Sequence, residues 1–197
     1  MKPAAFKYFA PKTVEEALEH LAQYGYDAKV LAGGQSLVPT MNFRMAQPAV
    51  LIDLNNISEL FYIRPLESGG VLVGAMSRQR TVEKDPIIAQ QAALVYETMP
   101  HISHPQIRNR GTFGGSIAHA DPSAELPAVM LTLNARFHLR NKSGERWVTA
   151  SDFFTGMFAT ILEPDEMLSE IQIPSLPPRS GWAFREVARR HGDFALV

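Results

Sequence analysis

The hydrophobic positions near the N-terminus follow the period of an α-helix. Thr13 and Glu16 form a capping box, in which the threonine hydroxyl accepts from the Glu16 amide and the glutamate reaches back. The apolar positions that follow have helical spacing: Val14, Ala17, Leu18, Leu21 and Ala22. Gly25 is a helix stop. Short apolar runs at 29–32 and 49–54 predict two buried strands, so this part of the chain is expected to be a small α/β unit.

A second unit begins with a predicted hairpin whose turn is Ser68–Gly70. Asp85-Pro86 and Asp121-Pro122 each predict a helix start, because aspartate caps the helix and proline suits its first position. Residues 101–120 are predicted to be a long loop. The elements predicted for this unit are strands at 61–64, 71–75, 136–140 and 167–173 and helices at 85–99 and 121–133.

These patterns predict an α+β (α/β) protein built from two subdomains. Residues 1–57 are expected to form a small N-terminal α/β subdomain, and residues 58–177 a larger subdomain with a mixed sheet. Residues 178–197 follow several prolines and are interpreted as a linker and the start of another domain. Because residues 194–197 are apolar and have the pattern of an element that continues, we expect a truncated chain or a missing last domain.

Composition excludes several functional classes. The 197 residues are 46% hydrophobic and 20% charged, which is typical of a globular protein. A net charge of −1 and the absence of a basic and aromatic cluster argue against nucleic acid as a partner. With no cysteine, the chain holds no disulfide, thiolate nucleophile or iron–sulfur cluster. No run reaches about 18 apolar residues and no secretion signal begins the chain, so a cytoplasmic location without a membrane span is expected.

Two glycine-rich stretches carry the candidate chemistry: Ala32–Leu37 and Thr112–Ser116, about 80 residues apart. A single Gly-Gly pair is usually a simple turn with a positive φ. Two pairs that share a small and polar ending instead indicate turns with free backbone N–H groups, which bind anions. We therefore predict that the two stretches hold the diphosphate of a dinucleotide. The backbone amides assigned to this role are those of Gly33, Gly34, Gln35, Ser36, Gly114 and Gly115.

Other readings of these residues are weaker or open. Neither G-x-G-x-x-G nor the P-loop motif is present, and without G-x-S-x-G neither Ser36 nor Ser116 is a good nucleophile candidate. Arg108 and Arg110 flank the second stretch and either belong to a solvated loop or steer a phosphate or a partner. A group of possible metal ligands matches no compact ligand motif in its spacing, so loop and capping roles are favoured over a metal site. These residues are His101, His104, His119, Asp121 and Glu125.

The run from Ile107 to Pro122 resembles the second flavin motif of the FAD-binding medium subunits of molybdenum hydroxylases. These are the flavoproteins of carbon monoxide dehydrogenase, xanthine dehydrogenase and their relatives. Ala32–Leu37 resembles the other FAD turn of this family. The resemblance covers the whole chain and implies a PCMH/vanillyl-alcohol-oxidase-like FAD-binding fold. The cofactor-binding residues that it implies are Leu31, Ala32, Gly33, Gly34, Gln35, Ser36, Leu37, Ile102, Thr112, Gly114, Gly115, Ser116, Asp121, Glu125, Leu168 and Arg185.

The resemblance also implies roles for single residues. Glu125 is expected to meet the adenosine portion of FAD, and Ile102 to pack on or near the isoalloxazine. Arg185 stands where lysine is common in the family. No side chain is expected to act as a catalytic acid or base toward the substrate.

The function implied by the resemblance is electron transfer within an oxidoreductase complex. Electrons would pass from iron–sulfur clusters on a small partner subunit, through FAD on this chain, to an external acceptor. A large partner subunit would carry molybdopterin, and the assembly would be a dimer of heterotrimers. Two alternatives remain open at this stage: a free-standing FAD-dependent oxidoreductase, and a flavin-free docking scaffold.

Overall fold

The computed structural model describes the whole chain, residues 1–197. The strands are β1 (Lys7–Phe9), β2 (Ala28–Leu31), β3 (Val50–Asp53), β4 (Ile63–Pro65), β5 (Gly70–Gly74), β6 (Arg136–Asn141), β7 (Gly144–Thr149), β8 (Phe154–Gly156), β9 (Ala159–Thr160) and β10 (Met167–Pro174). The α-helices are α1 (Val14–Tyr24), α2 (Leu37–Asn42), α3 (Gln79–Lys84), α4 (Pro86–Gln91), α5 (Ala93–Thr98), α6 (Pro105–Arg108), α7 (Phe113–His119), α8 (Glu125–Thr132) and α9 (Ala150–Phe153). Short 3₁₀ helices cover Gly25–Asp27, Leu54–Asn56, Ser58–Leu60 and Met99–His101.

The N-terminal unit is a parallel three-stranded sheet of order β1-β3-β2 with α1 packed on it. The Thr13 hydroxyl accepts from the Glu16 amide at 3.2 Å, as the capping pattern predicts. The apolar face of α1 is buried, and Gly25 is its C-cap. The helix and the two strands predicted here are confirmed. Strand β1 was not predicted, because its three residues are too few to show a period.

The second unit contains an antiparallel five-stranded sheet of order β4-β5-β10-β6-β7. The predicted hairpin is confirmed as β4 and β5, and the two later predicted strands are confirmed as β6 and β10. Strand β7 was missed. It lies at the edge of the sheet and most of its residues are exposed, so it shows little hydrophobic alternation.

Two helix predictions need correction. The helix expected over 85–99 is broken at Ala92, whose φ and ψ are −139° and 56°, and continues as α4 and α5. No glycine or proline marks this break, and Ile88 before it and Val95 after it are buried in the same core. Asp121-Pro122 does not open a helix. The Asp121 carboxylate accepts from the Ser123 amide at 2.9 Å in a turn, and α8 begins four residues after Asp121.

The long loop predicted over 101–120 is also wrong. Helices α6 and α7 occupy much of it, and the second glycine motif forms the first turn of α7, with Thr112 as the N-cap. Gly114 and Gly115 disfavour a helix by their backbone freedom. Tertiary packing overrides this preference, because Gly114 lies directly against Ala75 at the end of β5.

Hydrophobic side chains form two cores. The larger one contains 24 buried residues, which come from the five-stranded sheet and from the helices packed on it. The smaller one contains 12 buried residues around α1 and the parallel sheet, and it includes Met76 and Met167 from the second unit. Residues 178–197 form no helix or strand, and Trp182 donates to Glu97 there at 3.0 Å. None of the helices has the length and apolarity needed to cross a membrane. The predicted α+β class agrees with this architecture, while the predicted boundaries at 57 and 177 stay predictions.

Candidate functional site

The two glycine motifs, far apart in sequence, are in direct contact. A Cβ placed on Gly33 would lie only 2.6 Å from the Arg110 carbonyl oxygen and 2.7 Å from the Gly111 Cα. A Cβ on Gly115 would lie 3.3 Å from the Cβ of Ala32. Only glycine at position 33 allows the first turn to lie this close to the backbone that enters the second motif.

The first motif presents a row of backbone N–H groups. It connects β2 to α2, and Gly34 has a φ of +72°, in the left-handed region that glycine favours. None of the N–H groups of Gly33, Gly34, Gln35 and Ser36 donates to an acceptor in the protein. Consecutive N–H groups without protein acceptors form a concave site for an anion. This row is the main binding feature of the site.

The second motif does not present such a row. The Gly114 N–H donates to the Ala75 carbonyl at 2.9 Å, and the Gly115 N–H donates to the Thr112 hydroxyl at 3.1 Å. The prediction that these two amides are free is therefore wrong. The glycines allow close packing instead: a Cβ on Gly114 would lie 2.5 Å from the Cβ of Ala75. Thr112 is buried as the helix cap, and Ser116 is half-buried on α7.

A cleft of about 310 Å³ opens at the first turn. Ligand pockets commonly measure about 300–1,000 Å³, so this cleft can hold part of a large ligand. Ser36 is exposed at the N-cap of α2 and Leu37 is the first residue of that helix. The residues that line the cleft are Leu31, Ala32, Gly33, Gly34, Gln35, Val38, Pro39, Asp53, Asn55 and Arg110.

The two arginines around the second motif have different surroundings. Arg108 is buried and donates to both carboxylate oxygens of Glu83, at 2.8 and 3.2 Å. It also donates to the Ile102 carbonyl at 2.8 Å, so its role is to hold the chain around it. Arg110 is exposed and lines the cleft. Arg108 fits neither of the two readings left open, because it is buried in an ion pair rather than solvated. Arg110 is exposed at the cleft, where it can meet an anion.

Sequence reasoning missed three further polar residues: Asp53 and Asn55, which line the cleft, and Arg78, which contacts Asn55. The Asp53 carboxylate accepts from the Tyr8 hydroxyl at 2.6 Å and from the Asn55 amide at 2.8 Å. The hydrogen bond to Asp53 raises the pKa of the Tyr8 phenol. Burial lowers the pKa of the Arg78 guanidinium, and the nearby positive charge of Arg110 lowers it further. The negative charge of Asp53 acts in the opposite direction. The available signal was position, because Asp53 and Asn55 follow a buried parallel strand, whose carboxyl end commonly faces a ligand.

Five of the predicted residues do not line the cleft: Ile102, Asp121, Glu125, Leu168 and Arg185. Asp121 lies in the turn before α8. Ile102 and Leu168 are buried in the larger core. Arg185 is exposed and donates to the neighbouring Phe184 carbonyl. Glu125 begins α8, and burial, followed by the carboxylates of Glu186 and Asp121, raises its pKa. The roles of these residues toward a ligand stay predictions.

Two of the three histidines among the metal candidates have aromatic neighbours, and the third, His104, is the N-cap of α6. His101 packs against Phe184 with ring centroids 4.9 Å apart, and His119 packs against Phe158 at 5.3 Å. The structure gathers no three His, Cys, Asp or Glu side chains where they could hold a metal ion together. The contacts that the structure shows for His101 and His119 are with aromatic rings.

Comparison with known proteins defines the class of this chain. Residues 4–176 match the family model described as the FAD binding domain in molybdopterin dehydrogenase. The chain belongs to this family, which confirms the resemblance carried by the two glycine motifs. The cofactor of the domain is FAD.

Individual relatives are similar along the whole chain. The caffeine dehydrogenase subunit beta of Pseudomonas sp. (strain CBB1) is 46% identical over 99% of this chain and 66% of its own length. The carbon monoxide dehydrogenase medium chain of Hydrogenophaga pseudoflava is 44% identical, over 100% of this chain and 68% of its own length. The chain thus spans about two thirds of the length of these relatives.

Solved structures show the same fold. Carbon monoxide dehydrogenase from Hydrogenophaga pseudoflava superposes with a TM-score of 0.95 at 45% identity, covering 99% of this chain and 68% of that chain. Quinoline 2-oxidoreductase from Pseudomonas putida 86 also gives a TM-score of 0.95, at 43% identity, over 100% of this chain and 67% of that chain. The α+β FAD-binding fold expected from the sequence is confirmed.

The residues at the cleft fit FAD. FAD carries a diphosphate between its flavin and adenosine portions, and the free N–H groups of the first turn can donate to phosphate oxygens. Arg110 adds a positive charge at the same cleft. Gly34 has a φ of +72°, and a Cβ there would lie 3.2 Å from side-chain atoms of Leu31 and of Val38, so the turn requires glycine at this position.

Proposed function

We propose that this chain is the FAD-binding, electron-transferring medium subunit of a molybdenum-containing hydroxylase or dehydrogenase. Family membership and the fit of the cleft to a dinucleotide support this function. The observation that carries it is the row of four unpaired N–H groups from Gly33 to Ser36, in contact with the second glycine motif. Gly33, Gly34 and Gln35 are only partly exposed, so an anion that accepts from their N–H groups would satisfy donors that otherwise depend on water.

The residues of the chain would bind and orient the cofactor. The N–H groups of the first turn would donate to the diphosphate, and Arg110 would balance part of its charge. The Asp53 carboxylate lies in the same cleft, but its oxygens already accept from Tyr8 and Asn55, which reduces its repulsion of a phosphate. When bound, FAD supplies transfer of one or two electrons, which no side chain here can supply.

The partners proposed for this chain follow from its family and its composition. These 197 residues contain no cysteine, so iron–sulfur clusters would be held by residues outside them. We propose a small iron–sulfur subunit and a large molybdopterin subunit, arranged as a dimer of heterotrimers. Electrons would leave this chain to an external acceptor.

The first test is the absorption spectrum of the purified chain between about 300 and 550 nm, before and after incubation with FAD and desalting. Retained flavin bands are expected. If neither the chain alone nor the chain isolated with its partner subunits retains flavin, the proposed function is wrong. Co-purification of two further chains supports the complex, whereas turnover of a substrate by the flavin-loaded chain alone would favour a free-standing oxidoreductase.

A pair of glycine variants tests the binding site itself. Gly34→Ala places a side chain at a φ of +72°, which costs about 1–2 kcal/mol, so the turn relaxes and its N–H groups no longer converge. We expect at least about tenfold weaker FAD binding, measured by titration. Gly25→Ala is the matched control, because Gly25 also has a positive φ but has no atom within 4 Å of its Cβ position and lies outside the cleft. Equal FAD affinity in both variants would exclude the first turn as the diphosphate site.

A further inference from the structure

We propose that Arg78 and Asn55 are positioning residues that hold the two glycine motifs in the arrangement needed to bind the diphosphate of the cofactor. We refer to this pair as the Asn55–Arg78 bridge. The proposal rests on the function proposed above and deepens it.

The Asn55–Arg78 bridge forms a continuous path of hydrogen bonds between the motifs. One guanidinium nitrogen of Arg78, Nη1, donates to the Arg110 carbonyl at 2.5 Å. The other, Nη2, donates to the Asn55 Oδ1 at 2.6 Å. The Asn55 Nδ2 then donates to the Ala32 carbonyl at 2.9 Å. The path therefore starts at the backbone that enters the second motif and ends at the backbone of the first motif.

The two carbonyls at its ends are the ones that matter for the binding site. The Ala32 carbonyl and the Gly33 N–H belong to the same planar peptide unit, so a bond that fixes the oxygen also fixes the direction of that N–H. The Gly33 N–H is the first of the unpaired row. At the other end, the Arg110 carbonyl is the atom closest to the Gly33 Cβ position. The bridge thus controls both the direction of the first N–H group and the contact between the motifs.

Both side chains of the bridge are themselves held in place. The Asp53 carboxylate accepts from the backbone and side-chain amides of Asn55. The backbone of Arg78 pairs with Thr112 in an antiparallel bridge, and the next residue donates from its N–H to the Gly111 carbonyl at 2.9 Å. The Arg78 guanidinium also lies 5.5 Å from the centre of the Phe61 ring. This support removes most of the freedom of the long arginine side chain.

The chemistry of the bridge requires arginine. Its planar fork donates in two directions to separate acceptors, which a lysine ammonium on a flexible stem does poorly. Arg78 does not line the cleft, whereas Asn55 does. Arg78 therefore acts on the ligand through Asn55 and through the backbone, rather than by direct contact.

The test is a double-mutant cycle of Arg78→Gln and Asn55→Ala, with FAD affinity measured by titration and thermal stability measured without ligand. Each single variant should weaken FAD binding about 10- to 100-fold. Arg78→Gln breaks the bonds from the guanidinium, and Asn55→Ala breaks the bond to the Ala32 carbonyl that fixes the first turn. The double variant should bind about as well as the weaker single variant, since both changes break one path. Arg78→Lys should restore part of the affinity. Arg136→Gln, which removes the same charge from an exposed position in β6, should bind FAD like the unmodified chain.

The outcomes separate this inference from the proposed function. If the unmodified chain binds FAD and both single variants bind it as tightly as the unmodified chain does, the role of the Asn55–Arg78 bridge is wrong. The proposed function would then still stand. Additive effects of the two substitutions, or losses of affinity that only follow losses of melting temperature, would also contradict the role of the bridge. If the unmodified chain and its complex bind no FAD, the proposed function fails and the bridge fails with it.

Discussion

At the scale of single residues, Arg108 and Arg110 show how burial decides the role of a charge. They are two positions apart, yet the Arg108 side chain is only 6% exposed and faces a Glu83 side chain that is 13% exposed. Burial alone would raise the pKa of Glu83, but hydrogen bonds from Arg108 and Arg80 outweigh it and leave that pKa below its ordinary value. Arg110 has no ion pair and faces the cleft. One charge therefore stabilises the fold, and the other is available to a ligand.

This difference predicts opposite effects of the same substitution. Arg108→Met should lower the free energy of unfolding by about 3–5 kcal/mol, because it leaves the buried Glu83 carboxylate without its main partner. Arg110→Met should change stability by no more than about 0.5 kcal/mol but weaken FAD binding severalfold. Urea unfolding and FAD titration of both variants measure the two effects.

Each arginine variant serves as the control for the other. If Arg110→Met loses as much stability as Arg108→Met, the assignment of a structural role to Arg108 alone is wrong. If Arg110→Met binds FAD as tightly as the unmodified chain, its side chain does not contribute to the site.

At the scale of elements, the first turn of α7 is the part of the site with the least local support. Its N-cap is Thr112, a buried residue whose hydroxyl accepts from the Gly115 N–H. The two glycines within the turn add no helix propensity. The turn is formed because Gly114 packs against Ala75 and the Phe113 N–H donates to the Ser77 carbonyl at 2.9 Å. The cap and these long-range contacts together place the turn against the first motif.

Two threonine caps give a matched prediction. Thr112→Val should cost about 1–3 kcal/mol of stability, because a partly buried N–H loses its acceptor, and should weaken FAD binding severalfold. Thr13→Val removes the equivalent cap from α1, should cost about 1 kcal/mol, and should leave FAD affinity unchanged. Thermal unfolding and FAD titration test both variants. A loss of FAD affinity in Thr13→Val would show that binding follows general stability rather than the α7 turn.

In the whole molecule, two carboxylates with little exposure to solvent connect elements that are distant in sequence. Glu83 joins α3 to the chain around Arg108, and Glu166 accepts two hydrogen bonds from Arg146, both at 2.8 Å. Burial would raise the pKa of Glu166, but the bonds from Arg146 and from the Glu163 amide hold it below its ordinary value. Both groups are therefore more acidic in the folded chain than in the unfolded one.

This predicts a loss of stability in acid. The contribution of each carboxylate is complete above the ordinary glutamate pKa of about 4.3 and is lost as the pH falls through the lower folded value, because the unfolded state then binds more protons. Urea unfolding between about pH 3 and pH 7 should show a steep decrease at the acid end. Glu83→Gln and Glu166→Gln should reduce that slope, whereas Glu19→Gln, at an exposed position without an ion pair, should not. An unchanged slope in both of the first two variants would contradict the assignment.

Local sequence patterns are enough to predict the elements with a strong periodic or capping signal and the family of the chain. The α1 capping box, the short apolar strands and the hairpin around Ser68–Gly70 are local patterns, because their hydrogen bonds and burial depend on residues close in sequence. The two glycine motifs likewise indicated the FAD-binding class. Only the tertiary structure decided which N–H groups are free. Those of Gly114 and Gly115 are paired, because helix α7 packs on a strand about 40 residues earlier.

The tertiary structure also decided the contacts that join the two motifs. Arg78 and Asn55 are isolated polar residues in the sequence, and nothing near them indicates that their side chains meet. The break at Ala92 and the edge strand β7 are equally invisible locally, since packing against the larger core and pairing with β6 form them. Local periodicity and capping therefore specify most of the elements, while the binding site depends on packing between segments about 80 residues apart, which no short pattern encodes.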